Sequence, residues 1–135
     1  GSSVLAQQSA ADKLSNLQSA LFARLHKMPL VKLFSRVQIK VPAQTLHKSL
    51  TEIWGVAAMP QVMKVMYCPV VDESSIGEEI YVDIRAKAKP ERTPEFVNDA
   101  SKKTADLLAK YGHATNVRVE LYEPSLQYEA FGKPE

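Results

Sequence analysis

Residues 80–122, IYVDIRAKAKPERTPEFVNDASKKTADLLAKYGHATNVRVELY, decide the fold. Apolar and polar side chains alternate over residues 80–89, which is the period of a half-buried strand. Residues 93–95 (TPE) then offer an N-cap, a proline at the first helical position and an acid in the first turn. Apolar residues at spacings of three and four follow, and Gly112 stands where a left-handed C-cap belongs. Because residues 117–121 alternate again, the stretch predicts strand, helix and strand.

The same two periods occur before this stretch. Residues 31–41 alternate and predict a strand that Pro42 ends. Residues 43–54 have helical spacing and reach a C-cap at Gly55, and residues 63–71 predict another strand. We therefore expect an α+β fold: a ferredoxin-like βαββαβ sheet of the split βαβ type, with the first and third strands central. Right-handed crossovers place its two helices on one face.

An amphipathic N-terminal helix is expected to precede the sheet. The predicted division is residues 1–29 for this helix, 30–131 for the ferredoxin-like domain and 132–135 for a frayed tail. The apolar stripe of the helix either packs on its own domain or pairs with another copy or a partner, and these alternatives stay open. The candidate interface residues on this stripe are Leu14, Leu17, Leu21 and Leu25.

The composition fits one globular domain. The chain has 135 residues, of which 45% are hydrophobic and 24% charged, as is ordinary for such proteins. A single cysteine, Cys68, excludes an internal disulfide, and no N-x-[ST] glycosylation acceptor occurs. An intracellular location is therefore slightly favoured, although the compartment stays undecided. No apolar run is long enough to predict a membrane span, and whether a transmembrane or targeting segment precedes the sequence stays open.

The formal net charge of +2 conceals an asymmetry. Residues 13–51 contain seven Lys or Arg and no acid, whereas from Glu52 onward there are 14 acids and 10 bases. Cations beside aromatics on an open sheet face suit an anionic ligand such as RNA, since aromatic rings stack on bases. The simpler explanation is a solvated face with cross-strand ion pairs. The candidate anion-binding residues are Lys32, Phe34, Arg36, Lys40, Tyr81, Arg85 and Lys87.

The sequence contains none of the motifs that carry common catalytic chemistry. Five glycines form no phosphate-cradling loop, and the three histidines share no metal-ligand spacing with one another or with Cys68. We therefore expect no cofactor and no metal, and we assign no catalytic residue. A small enzyme with a cleft formed on dimerisation remains an alternative. Its candidate residues are Tyr67, Asp83, Arg85 and His113.

These observations favour a non-catalytic assembly module, a subunit of a larger complex. It would use the N-terminal helix stripe and a sheet edge to bind a protein partner or another copy of itself. The first alternative is RNA or other anionic-ligand binding on the basic sheet face. The second is the small dimeric enzyme with an inter-subunit cleft. The sequence does not decide whether the chain is an enzyme, and it favours a protein that is not one.

Overall fold

The computed structural model describes residues 29–71 and 77–134. The predicted N-terminal helix, with its interface residues Leu14, Leu17, Leu21 and Leu25, lies outside the described residues. Residues 72–76, between the second and third strands, also lie outside the described residues. The described residues are those of the α+β domain.

Four strands and two α-helices alternate in the predicted order. Short 3₁₀ turns follow the first helix at Pro60–Val62 and the last strand at Pro124–Leu126. The elements are β1 (Leu30–Ser35), α1 (Ala43–Ile53), β2 (Lys64–Pro69), β3 (Ile80–Lys87), α2 (Pro94–Lys110) and β4 (Thr115–Tyr122). The expected α+β class and βαββαβ order are confirmed.

The sheet has the order β2-β1-β3-β4, which places β1 and β3 in the centre as expected. The parallel pairs are β1 with β2 and β3 with β4, and an antiparallel pair of β1 with β3 joins the two halves. The two parallel strands of each βαβ unit are therefore direct neighbours in this sheet. In a ferredoxin-like sheet, by contrast, another strand lies between them. The element order is the same in both arrangements, so the sequence pattern alone does not distinguish them.

Both helices cover one face of the sheet, as predicted. Inward side chains of β1 and β3 are almost completely removed from water, and they pack against the apolar stripes of α1 and α2. Burying each such side chain contributes about 1.5–3 kcal/mol. The core residues from these elements are Val31, Leu33, Ile80, Val82, Ile84, Leu46, Leu50, Ala100 and Leu108.

The ends of α2 follow their sequence signals. The hydroxyl of Thr93 accepts a hydrogen bond of 3.1 Å from the backbone N–H of Phe96, which satisfies one free donor of the first turn. At the other end Gly112 has a φ of +87°, a conformation that glycine adopts without a steric penalty. These caps fix where the loops on either side of α2 leave the helix.

The first strand is shorter than predicted. Residues 31–41 were expected to form one strand, but β1 ends at Ser35. The Ser35 hydroxyl accepts from the Val37 N–H at 3.1 Å and donates to the carbonyl of the same residue, and this local turn replaces the sheet ladder. Arg36 and Lys40 therefore lie in the connection to α1 rather than on the sheet.

The alternation of Leu126, Tyr128 and Ala130 predicts a short edge strand, but no strand follows β4 in the described residues. After the 3₁₀ turn at Pro124–Leu126 the chain runs without regular structure to residue 134. Leu126 is 71% exposed and Tyr128 is 86% exposed. The end of the described chain therefore carries large apolar side chains that its own domain does not cover.

Candidate functional site

The open face of the sheet carries most of the predicted anion-binding residues. Lys32 and Phe34 of β1 stand opposite Asp83 and Tyr81 of β3, and the rings of Phe34 and Tyr81 lie 6.4 Å apart. Arg85 and Lys87, farther along β3, alternate in step with Tyr81 and Asp83 and so lie on the same face. Arg36 and Lys40 do not join this face. The structure thus brings together five of the seven residues and separates two.

The arginines of this face are neutralised within the sheet. Glu120 of β4 accepts from Arg118 at 2.6 Å and lies 3.8 Å from Arg85. Hydrogen bonding with Tyr81, and then with Glu120, raises the pKa of Arg118. The Arg85–Glu120 pair joins β3 to β4, as the solvated-face explanation expects, whereas Arg118 and Glu120 lie on the same strand.

The candidate residues of the dimeric-enzyme alternative do not converge. A cleft of about 360 Å³ opens beside the ends of β1 and β2, and it is lined by Ser35–Ile39 and Tyr67–Val70. Tyr67 is among its lining residues, and its hydroxyl donates to the Val41 carbonyl at 3.0 Å. Neither Asp83 nor His113 lines this cleft. Within one described chain, Tyr67, Asp83 and His113 therefore do not share a cleft, and the cleft predicted to form between two subunits stays a prediction.

From its position just past the C-cap of α2, His113 is expected to complement the last carbonyls of that helix. Its ring is instead buried and reaches two other segments. Nε2 accepts from the Lys40 N–H at 3.0 Å, so Nδ1 carries the proton that is donated to Glu79, 2.6 Å away. Both ring nitrogens are thus engaged, and His113 ties the connection after β1 to the loops before β3 and β4.

An arginine that the sequence did not single out has the most unusual environment. Arg92 lies between β3 and α2, and only 5% of its surface is exposed. Its backbone N–H donates to the Lys89 carbonyl at 3.0 Å, and its Nη1 donates to the Lys87 carbonyl at 2.6 Å. The side chain is therefore held by the tight turn that leads from β3 to the Thr93 cap.

The rest of the Arg92 guanidinium has no acceptor among the described residues. Nε and Nη2 are both buried and donate to no described protein group. A buried unsatisfied donor costs about 1–3 kcal/mol, and a cation without a partner costs more. Burial lowers the pKa of Arg92, but an arginine side chain stays protonated in proteins. Such a group is suited to a planar anion, above all a carboxylate.

Polar side chains surround this guanidinium at one end of the sheet. Tyr122, at the end of β4, interacts electrostatically with Arg92, and Gln127 hydrogen-bonds to the Tyr122 hydroxyl. The Gln127 Oε1 atom is also buried with no donor among the described residues. Lys89 lies close enough that burial, and then the charge of Arg92, lower its pKa. We call Lys87, Lys89, Arg92, Tyr122 and Gln127 the Arg92 cluster.

Sequence reasoning missed this cluster because its members lie in three places along the chain. The only local signal is a run of basic residues before the Thr93 cap, which resembles an ordinary solvated turn. The burial of Arg92 depends on the tight turn and on the end of β4, which brings Tyr122 beside it. Burial of this kind is a tertiary property.

Within residues 29–71 and 77–134, no three or more His, Cys, Asp or Glu side chains are grouped to hold a metal ion. None of the helices described is both long and apolar enough to cross a membrane.

Comparison with known proteins gives matches by structure only. No family model matches the chain, and no curated protein matches it significantly in sequence. Among solved structures, N1, a member of the cis-3-chloroacrylic acid dehalogenase family, superposes with a TM-score of 0.54 and 15% identity over 74% of this chain and 79% of its own.

Two further matches have the same fold. The F6 fused 4-OT protein, an asymmetric trimer, superposes with a TM-score of 0.56 and 11% identity over 77% of this chain and 94% of its own. A macrophage migration inhibitory factor homologue from Prochlorococcus marinus superposes with a TM-score of 0.53 and 14% identity, covering 75% and 95% of the two chains. The chain therefore has the βαβ-type α+β fold of the tautomerase and migration inhibitory factor structures.

These findings correct the functional prediction. The structures that share the fold include a member of a dehalogenase family, which contradicts the non-catalytic assembly module and favours the alternative of a small oligomeric enzyme. They give no support for RNA or another nucleic acid as a partner.

Proposed function

We propose that this protein is a small homo-oligomeric enzyme that acts on a short-chain carboxylic acid. The Arg92 cluster would bind the substrate carboxylate and position the rest of the molecule at the end of β3 and β4. The observation that carries the proposal is the buried guanidinium of Arg92, with two nitrogens that donate to no described group. A substrate anion would supply the acceptors that these nitrogens lack.

The hydrogen-bonding geometry of Arg92 supports a carboxylate in particular. One terminal nitrogen is already engaged by the Lys87 carbonyl, which orients the planar group. The remaining pair, Nε and Nη2, is the edge that forms two parallel hydrogen bonds with a carboxylate. Lys89 adds positive charge nearby. The cost of burying this charge in the free protein is thus offset only when an anion is bound.

Tyr122 supports a role beyond binding. Burial is the main cause that raises the pKa of its hydroxyl, which therefore stays protonated at neutral pH. A neutral phenol beside the carboxylate site is a hydrogen-bond donor to an oxygen of the substrate. A donor held in a partly buried site stabilises charge that develops on such an oxygen during a reaction.

The fold comparisons support the same class of function. One structure that shares the fold belongs to a family named for an unsaturated carboxylic acid, and another is a trimer. We propose self-association for this chain on that basis.

Turnover of cis-3-chloroacrylate, measured as chloride release by the purified protein, tests the proposal. We expect activity in the wild type and a rise in KM of about 10- to 100-fold in Arg92→Gln, because a charged hydrogen bond contributes about 1.5–3 kcal/mol. A panel of other short unsaturated and keto acids, followed by ultraviolet absorbance, covers the remaining substrates of this class.

Arg85→Gln is the matched control. It removes an arginine from the open face, where the side chain is exposed beside Glu120, and we expect an unchanged KM. An equal rise in KM in the two variants would mean that general positive charge, rather than the Arg92 cluster, attracts the substrate. No turnover and no binding of any acid in the panel would contradict the proposed function.

A further inference from the structure

A tight turn places a lysine beside the buried arginine of the Arg92 cluster. The Arg92 backbone N–H donates to the Lys89 carbonyl at 3.0 Å, so the two residues are the first and last positions of a β-turn. The Cα atoms of these two positions lie within about 7 Å of each other. Pro90 occupies the second position, where its fixed φ favours the turn. The side chains of Lys89 and Arg92 therefore start from neighbouring points of the backbone.

The end of β4 is joined to the start of this turn. Lys87 is the register partner of Tyr122, and the Ala88 N–H donates to the Tyr122 carbonyl at 2.8 Å. This bond extends the pairing of β3 with β4 to the residue before Lys89. Lys89 is thus held at the same end of the sheet as Tyr122 and Arg92.

The Lys89 amine has no counter-ion among residues 29–71 and 77–134. None of the ion pairs in this part of the chain includes Lys89, and none includes the exposed Glu91 of the same turn. Burial lowers the pKa of Lys89, the charge of Arg92 lowers it further, and the opposing charge of Glu91 does not cancel them. Such surroundings increase the fraction of the neutral amine, which is the nucleophilic form of lysine.

We propose that Lys89 is a further catalytic residue, whose amine attacks a carbonyl carbon that lies next to the carboxylate bound by Arg92. The inference rests on the carboxylate site proposed above, and it narrows the substrates of that site to 2-oxo acids, which carry both groups. The long, flexible side chain of a lysine can reach a carbon beside the bound carboxylate. Arginine stays protonated and is no nucleophile, so the two cations of the turn have different roles.

The step needs no added oxidant or reductant. The neutral Lys89 amine forms a C–N bond with the carbonyl carbon, and the electrons of the C=O π bond move to the oxygen, which takes a proton from the Tyr122 hydroxyl. The nitrogen returns a proton to Tyr122. The C–O bond then breaks, the oxygen leaves as water with a second proton from Tyr122, and the nitrogen returns its last proton to give an imine. Such a covalent intermediate replaces one difficult step by two easier ones.

Reductive trapping with pyruvate, a 2-oxo acid, tests the proposal. Sodium cyanoborohydride reduces an imine to a stable amine, so the wild type should gain the mass of one reduced pyruvate adduct, which peptide mapping should place on Lys89. Lys89→Arg keeps the positive charge without a nucleophilic amine, and we expect no adduct in this variant. Lys64→Arg is the matched control, because Lys64 is exposed on the opposite outer strand, and we expect unchanged labelling.

Two further measurements separate this reaction from general labelling of lysines. Arg92→Gln retains Lys89 but loses the charged hydrogen bonds to the carboxylate, so labelling at low pyruvate concentration should be about 10- to 100-fold slower. Propionate has the carboxylate of pyruvate without its ketone, and it should slow the labelling of the wild type by competition.

The stabilisation of the fold by pyruvate in urea measures carboxylate binding separately from imine formation. The nucleophilic role of Lys89 is wrong, and the carboxylate site stands, if pyruvate stabilises the wild type and Lys89→Arg equally but the wild type gives no adduct on Lys89. An unchanged adduct in Lys89→Arg, shown to be folded by circular dichroism, would also overturn this role. If pyruvate neither stabilises nor labels the wild type, this inference fails together with the carboxylate site.

Discussion

Replacing Arg92 with methionine separates a binding role for this arginine from a structural one. Methionine is unbranched, flexible and similar in length, so it fills the space of the buried side chain without a charge. If the guanidinium binds a ligand, burying it unpaired destabilises the ligand-free protein, and the substitution removes this cost. If Arg92 instead holds the fold together, its loss destabilises the protein.

The structure supplies the magnitude. Two buried nitrogens with no acceptor cost about 2–6 kcal/mol, at about 1–3 kcal/mol each. Against this, the variant loses the hydrogen bond to the Lys87 carbonyl, which contributes about 1.5–3 kcal/mol. The expected change in the free energy of unfolding therefore lies between a decrease of about 1 kcal/mol and an increase of about 4.5 kcal/mol.

Urea unfolding followed by circular dichroism measures this change with and without acrylate, a short carboxylate of the proposed substrate class. In the wild type, acrylate at 100 times its dissociation constant should stabilise the fold by about 2.7 kcal/mol. In Arg92→Met the same concentration should have no effect. A loss of about 3–5 kcal/mol in the variant without ligand would show a structural ion and refute the reasoning.

Three further substitution experiments follow from described contacts. Thr93→Ala should lower the free energy of unfolding by about 1 kcal/mol in urea titrations, whereas Thr93→Ser, which keeps the cap, should not; equal effects would contradict the capping role. His113→Ala should cost about 3 kcal/mol because it removes a buried ring together with both of its hydrogen bonds, and His47→Ala, with one contact to the Met63 carbonyl, should cost less; the reverse order would contradict the bridging role. Burial raises the pKa of Tyr67 and Tyr122 above 10.0 in the folded state. The protonated hydroxyls of these two tyrosines therefore favour the folded state below pH 10. This stabilisation is lost as the pH rises through their folded-state pKa values. Absorbance at 295 nm should show late-titrating tyrosines, one fewer after Tyr122→Phe; an unchanged titration curve in that variant would contradict the burial of its hydroxyl.

Much of the fold was predictable because its signals are local. Alternation marked β3, and the Thr93 cap with Gly112 marked both ends of α2. The prediction failed where one polar side chain redirected the backbone, since Ser35 ends β1 six residues before the alternating pattern ends. The alternating pattern also did not show which strands are neighbours in the sheet. Sheets in which the parallel strands of a βαβ unit are adjacent or separated have the same order of elements along the chain.

The candidate site was less predictable. Lys32 and Phe34 were correctly placed on the open face from the period of a strand. Arg92, by contrast, sits in a basic turn that looks solvent-exposed in the sequence, but it is buried in the structure beside Tyr122 at the end of β4. A buried charge without a partner results from tertiary packing, and no local pattern encodes it.

The central claim is that the Arg92 guanidinium binds a carboxylate, and a nuclear magnetic resonance titration tests it most directly. The five arginines of the chain give separate Nε–H signals in a 15N-labelled sample. On addition of acrylate we expect the Arg92 signal to shift and saturate while that of Arg85 stays in place. A stationary Arg92 signal at acrylate concentrations that saturate binding elsewhere on the protein would contradict the account.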